Sequence, residues 1–203
     1  MMDLDPDLLV LHALAVRKSG TAQQIAAVLG QDPAAVEDKL SRLSGVGDVL
    51  GGKGVFMATP AGRARLDSGY EQAYAGLRRD EQFTAAADRF ESINRRLLDV
   101  LTRWQTLSRA GVSMANDHTD PDYDAKIIDE LGGLHERAEP VLTVFAGRLH
   151  RFGAYRDRLG AAYERALTGQ PDYVTGVRVD SYHAVWHEAH EDLLRVLGRS
   201  REE

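Results

Sequence analysis

The sequence predicts a mainly α-helical fold in two parts: three to four short helices with a β-hairpin over residues 1–68, then a helical bundle over residues 69–203. Three observations predict it. Apolar residues recur at intervals of three and four along most of the chain, the period of a helix buried along one face. N-cap, proline and glycine signals divide that pattern into helix-sized segments. One early stretch, Asp48 to Thr59, breaks the period with two β-prone runs around a glycine cluster.

Asp5 and Pro6 supply an N-cap and a first-turn proline, and Leu8, Leu9, Leu11, Leu14 and Ala15 follow at helical spacing until Gly20. Thr21 and Gln24 have capping-box spacing, so a second helix starts there, with Ile25, Val28 and Leu29 inward and Gly30 at its end. Asp32 and Pro33 open a third, whose inward stripe is Val36, Leu40 and Leu43 and which Gly45 and Gly47 terminate. Two β-prone runs, Asp48–Leu50 and Val55–Thr59, are joined by Gly51, Gly52, Lys53 and Gly54, a link suited to a hairpin. Thr59 and Pro60 then cap a fourth helix. Three helices, a hairpin closing on Thr59-Pro60-Ala61-Gly62-Arg63 and a further helix resemble the winged helix-turn-helix of MarR-like regulators over about residues 6–66.

The second part is read as four or five helices joined by short loops. From Leu66 to Leu107 the pattern stays helical, with Phe83, Ala86, Ala87, Phe90, Ile93, Leu97, Leu98, Leu101 and Trp104 as its stripe and Gly69 and Gly76 separating a linker from the main helix. Ser108–Asp122 reads as a loop. Asp122 is an N-cap for a helix to about Ala138, and Glu139-Pro140 opens the next, through Leu149. Gly153 divides that one from Ala154–Leu167, Thr168–Pro171 is a turn, and Asp180 caps a last helix, Ser181–Leu197, before a frayed tail.

Composition narrows the function classes. The 203 residues are 43% apolar and 28% charged, ordinary for a chain able to bury a core. There is no cysteine, which excludes disulfides, thiolate metal sites and cysteine nucleophiles. The start, MMDLDPDLL, is acidic where a signal peptide is basic, and no apolar run approaches a membrane span, so a cytoplasmic protein with no membrane partner is expected. The net charge is -6, and the first 70 residues hold seven Lys and Arg against eight Asp and Glu. Neither part is the basic body of a protein held to nucleic acid mainly through phosphates.

In the winged-helix reading the third helix presents its outward residues to base edges. The DNA-facing candidates are Ala34, Ala35, Lys39, Ser41 and Arg42, with Lys53 in the hairpin. Glu37 and Asp38 occupy the same surface, and two adjacent acids near phosphates are an electrostatic penalty, so DNA is a possible partner that this face disfavours. On the last helix, Tyr182, Trp186, Ala189, Leu193, Leu194 and Leu197 form the expected buried arc, with His183 and His190 inside it and His187 at its edge. These aromatic and imidazole side chains are candidates for a small-molecule effector or partner pocket, together with Trp104, Asn116, Asp117 and His118. His183 and His187 also have the one-turn separation of two metal ligands, which His118 or His135 would have to complete. No cofactor motif, P-loop, nucleophile elbow or Ser-His-Asp set is recognisable, and an enzyme is not expected.

Trp104-Gln105, Asn116–Asp124 and Val179–Leu194 resemble the C-terminal winged-helix plus helical region of actinobacterial phosphoenolpyruvate-utilising, pyruvate phosphate dikinase-like proteins. The phosphohistidine and nucleotide-grasp segments of that family are not in this sequence. The resemblance therefore implies an accessory or regulatory module and carries no catalytic residue across. The functions expected are a winged-helix transcriptional regulator that dimerises and responds to a ligand, an interaction module of a phosphotransfer system, and a metal-binding helical-bundle enzyme.

Overall fold

The computed structural model describes residues 4–109 and 112–199; the tail read as frayed lies outside them, apart from Arg199. The chain is mainly helical. Helices α1 (Pro6–Arg17), α2 (Ala22–Leu29) and α3 (Pro33–Gly45) lead to a hairpin, β1 (Val49–Gly52) with β2 (Val55–Ala58), and to α4 (Pro60–Tyr74). A 3₁₀ turn over Leu77–Arg79 precedes α5 (Glu81–Gln105) and a second hairpin, β3 (Thr106–Arg109) with β4 (Val112–Ala115). The helices α6 (Pro121–Ala146), α7 (Arg151–Leu167), α8 (Asp172–Thr175) and α9 (Tyr182–Leu197) complete the fold.

Local chemistry starts α1 to α4 where the sequence places the signals, whereas α9 is capped by Ser181 in place of Asp180. The Asp5 carboxylate accepts from the Asp7 and Leu8 amides, Thr21 and Gln24 close their capping box, and Asp32 accepts from Ala34 and Ala35. Each such cap stabilises its helix by about 1 kcal/mol. Thr59 accepts from the Gly62 amide. Gly62 is required there because a Cβ would stand 2.2 Å from the Asp48 carbonyl oxygen, so the backbone of α4 touches the entry to β1.

Several boundaries differ from the sequence reading. The hairpin link is only Lys53 and Gly54, both at positive φ as a two-residue turn demands, and Gly51 and Gly52 belong to β1. Helix α4 runs through Gly69, where the missing Cβ lets Leu8 of α1 approach. It therefore crosses residue 68 without interruption. The loop assigned to Ser108–Asp122 contains β4 and part of β3, runs too short for a period-2 signal, and the N-cap of α6 is Asp120, which accepts from the Tyr123 amide, in place of Asp122. Helix α6 continues through Pro140, because Leu134, Ala138, Val141, Leu142 and Phe145 form one buried stripe across it and packing outweighs one missing hydrogen bond. The following break falls at Gly147–His150, and Gly153 lies inside α7.

The bundle layers α5 on α6, α6 on α7 and α7 on α9. Helix α1 packs against α2, α3, α4, β2 and α9, and α2 packs against α7. One buried apolar cluster consequently extends from Leu4 to Val196. Helix α1 is buried more widely than its stripe suggested, with Val10, His12, Ala13 and Val16 also inside. No helix among the described residues is long and apolar enough to cross a membrane.

Candidate functional site

Side chains of α5 and α9 face one another around a cleft of about 410 Å³, a volume typical of ligand pockets. Trp186 forms its apolar base and is backed by the buried Phe90, on which it stacks at 4.4 Å. The Trp186 indole Nε1 donates to Asn94 Oδ1 at 2.9 Å, and His190 Nε2 lies 2.7 Å from Glu91 Oε1. Arg95 and Leu98 on α5 and His183 and His187 on α9 complete the opening. A second cleft of about 350 Å³ lies on the other flank of His183 and His187, walled by Val16, Arg17, Lys18 and the segment before α9. His183 and His187 thus form a ridge between two clefts.

The sequence-predicted pocket residues divide into separate places. His183, Trp186, His187 and His190 come together in the α5–α9 cleft. Tyr182 is fully buried beside Trp186, its ring 6.2 Å away, and burial pushes its phenol pKa up. Trp104 lies about 15 Å further along α5 than Asn94, at a rise of ~1.5 Å per residue. There the His118 ring packs on Trp104 at 4.5 Å, Asn116 Nδ2 donates to the Trp104 carbonyl and to Asp124, and His118 Nδ1 lies 2.9 Å from Asp124 Oδ2. Asp117 accepts from Thr119. Asn116, Asp117 and His118 therefore tie the turn before α6 to Trp104 and Asp124, apart from the α5–α9 cleft. His135, the other proposed third metal ligand, packs on Tyr163 at 5.1 Å, and burial lowers its pKa. Among the described residues no three His, Asp or Glu side chains converge as a metal group.

The outward face of α3 is laid out as the sequence indicates: Ala34, Ala35, Glu37, Asp38, Ser41 and Arg42 are exposed and Lys39 is half-buried. Its cations, and Arg65 of α4 beside it, are engaged within the chain. Lys39 donates to Gln31, Arg42 pairs with Asp7, and Arg65 pairs with Asp48 at 2.6 Å and Asp7 at 3.9 Å. Lys53 is exposed at the hairpin turn. Apolar side chains are exposed nearby: Leu50 and Met57 are cross-strand partners, and Val46 and Val55 flank them.

The residues that pattern reading missed lie on the opposite face of α9. Asp192 is fully buried and accepts two bonds from Arg151, Nε to Oδ2 and Nη2 to Oδ1, both at 2.8 Å, and one from the Tyr155 hydroxyl at 3.2 Å. His12 of α1 places Nε2 3.0 Å from Asp192 Oδ1, off the line of a hydrogen bond, and Nδ1 2.8 Å from the Tyr70 hydroxyl of α4. Arg151 also donates to the Tyr74 hydroxyl at 3.1 Å. Burial alone would raise the Asp192 carboxyl, but the Arg151 guanidinium, with two hydrogen bonds to it, holds it below the usual carboxylate range. Burial lowers His12, more than Asp192 raises it, so the imidazole is neutral. One turn earlier Glu188 is clasped between Arg17 of α1 and Arg158 of α7, the latter at 2.8 Å. Two acids four residues apart among Val185, Ala189 and Val196 were the available signal, since α9 is apolar on both flanks.

The arrangement is suited to binding: an apolar base, imidazoles and an arginine around a cleft. The chain matches no protein-family model, no curated protein and no solved structure.

Proposed function

We propose that the protein is a ligand-responsive regulator of the winged-helix type, in which the bundle takes a small molecule in the α5–α9 cleft and the N-terminal unit, α1 to α4 with its hairpin, is the output. One observation carries this reading: α9, which forms one wall of the cleft, is also the helix that packs on α1. The order of three helices, hairpin and helix supports the winged-helix assignment of the output unit, and the reading predicts a dimer on a palindromic site.

A second reading is favoured by the same unit's surface. Exposed Glu37 and Asp38, the pairing of Arg42 and Arg65 with acids, and the exposed Leu50 and Met57 suit a protein partner better than a phosphate backbone. This is the accessory-module role that the phosphoenolpyruvate-utilising resemblance implies.

Fluorescence titration of a labelled duplex from the gene's own upstream region separates the two. Regulation through DNA predicts salt-sensitive binding at about 50 mM salt that tightens roughly tenfold in a Glu37→Lys, Asp38→Lys double variant. Absence of binding by both proteins removes the DNA reading, and loss of a co-purifying protein in the double variant supports the second.

A further inference from the structure

We infer that occupancy of the α5–α9 cleft is transmitted to the N-terminal hairpin through the Glu188–Arg17 clasp, with Asp192 as the fixed point of α9. The inference rests on the regulator reading of the cleft and specifies how that site acts on its output.

Helix α9 is two-faced. At about 100° per residue, His183, Trp186, His187, His190 and Leu194 lie within one narrow arc, and Glu188 and Asp192 lie roughly opposite. A displacement of the cleft wall is therefore felt directly by the groups that hold α1.

The two acids differ in how readily they let go. Asp192 has no exposed surface, and opening its contact with Arg151 would leave two buried charges unpaired, a change that buried pairs resist strongly. Glu188 and its partners keep a fraction of their surface in water: 10% for Glu188, 18% for Arg17 and 13% for Arg158. Water can replace part of that contact as it opens. The clasp also lines the second cleft, whose wall includes His183 and His187, the ridge that bounds the first. An occupant that moves the ridge thus moves the wall of the space in which Arg17 and Glu188 meet.

The route from the clasp onward is short and made of backbone. Arg17 is the last residue of α1, and Lys18 leaves the helix at φ 69°. Gly20 then exchanges two hydrogen bonds with Phe56 of β2, at 3.0 and 2.9 Å, and Thr21 caps α2. Three residues join the clasp to the hairpin, and one more joins it to the start of α2. Release of Arg17 loosens the Gly20–Phe56 bridge and with it the angle at which the hairpin stands on α1.

The absence of cysteine permits a test without knowledge of the effector. A Leu98→Cys variant labelled with monobromobimane places an apolar group in the α5–α9 cleft and not in the second one, and hydrogen–deuterium exchange reads peptides covering residues 18–22 and 52–58. The label is expected to speed exchange there on the order of tenfold. Glu188→Gln without label should do the same, and the label should add nothing further in the Glu188→Gln background, the non-additivity of groups on one route. Arg17→Gln gives the same comparison from α1 if Glu188→Gln does not fold. Exchange that changes only in α5 and α9, or label and variant effects that simply add, overturns the inference. No DNA is present, so this failure is distinct from failure of the duplex titration.

Discussion

At the scale of single residues, Asp192 and His12 set how the molecule meets acid. Asp192 is charged and its folded pKa lies below the unfolded one, so its contribution is full above about 3.9 and is lost as pH falls toward the folded value. His12 is held neutral by burial, so its folded pKa is also below the unfolded value of 6.5. Below 6.5 the unfolded chain binds a proton at this position that the folded chain refuses, and stability falls. Wild-type protein should therefore lose up to about 1.4 kcal/mol per pH unit from this group as pH drops below 6.5. Urea unfolding from pH 7.5 to 5 checks it: in His12→Gln that component should vanish, and a wild-type to variant difference that stays constant with pH would contradict the assignment. None of this was visible from spacing, since His12 sits among leucines and its meaning depends on a carboxylate 180 positions later in the chain.

Elements were legible in proportion to how local their causes are. Caps at Asp5, Thr21, Asp32 and Thr59 act within three residues, and all four are formed. The hairpin between β3 and β4 is made by pairing of Thr106–Arg109 with Val112–Ala115, runs too brief to declare a strand. Pro140 marks the reverse case, a strong local breaker carried inside α6 by long-range packing. It is exposed and donates no backbone hydrogen bond there, so Pro140→Ala should stabilise the protein by roughly 1–2 kcal/mol, the restored bond outweighing the greater freedom of the unfolded chain. A higher urea midpoint with an unchanged slope is the expected outcome; a lower midpoint would show that a bend at Pro140 is needed for Val141, Leu142 and Phe145 to pack.

At the scale of the whole molecule, the continuous core and the ties from α9 to α1 predict that the N-terminal unit and the bundle unfold as one cooperative body. Both tryptophans, Trp104 and Trp186, lie in the bundle, whereas far-UV circular dichroism reports every helix. Their urea transitions should coincide in wild-type protein and separate in Asp192→Asn, which leaves Arg151 buried without its counter-charge; separate transitions in the wild type would refute a single unit. The sequence by itself determined the helical class, the caps at Asp5, Thr21, Asp32 and Thr59, the first hairpin, the acidic outward face of α3 and the aromatic and imidazole face of α9, because each depends on neighbours a few positions apart. Only the tertiary structure decided that α9 has a second face, that Asp192 and Glu188 hold α1 and α7 to it, and that Trp104 with Asn116 stands apart from the cleft. Those facts depend on which distant segments meet, and helical periodicity records that a face is buried without recording what covers it.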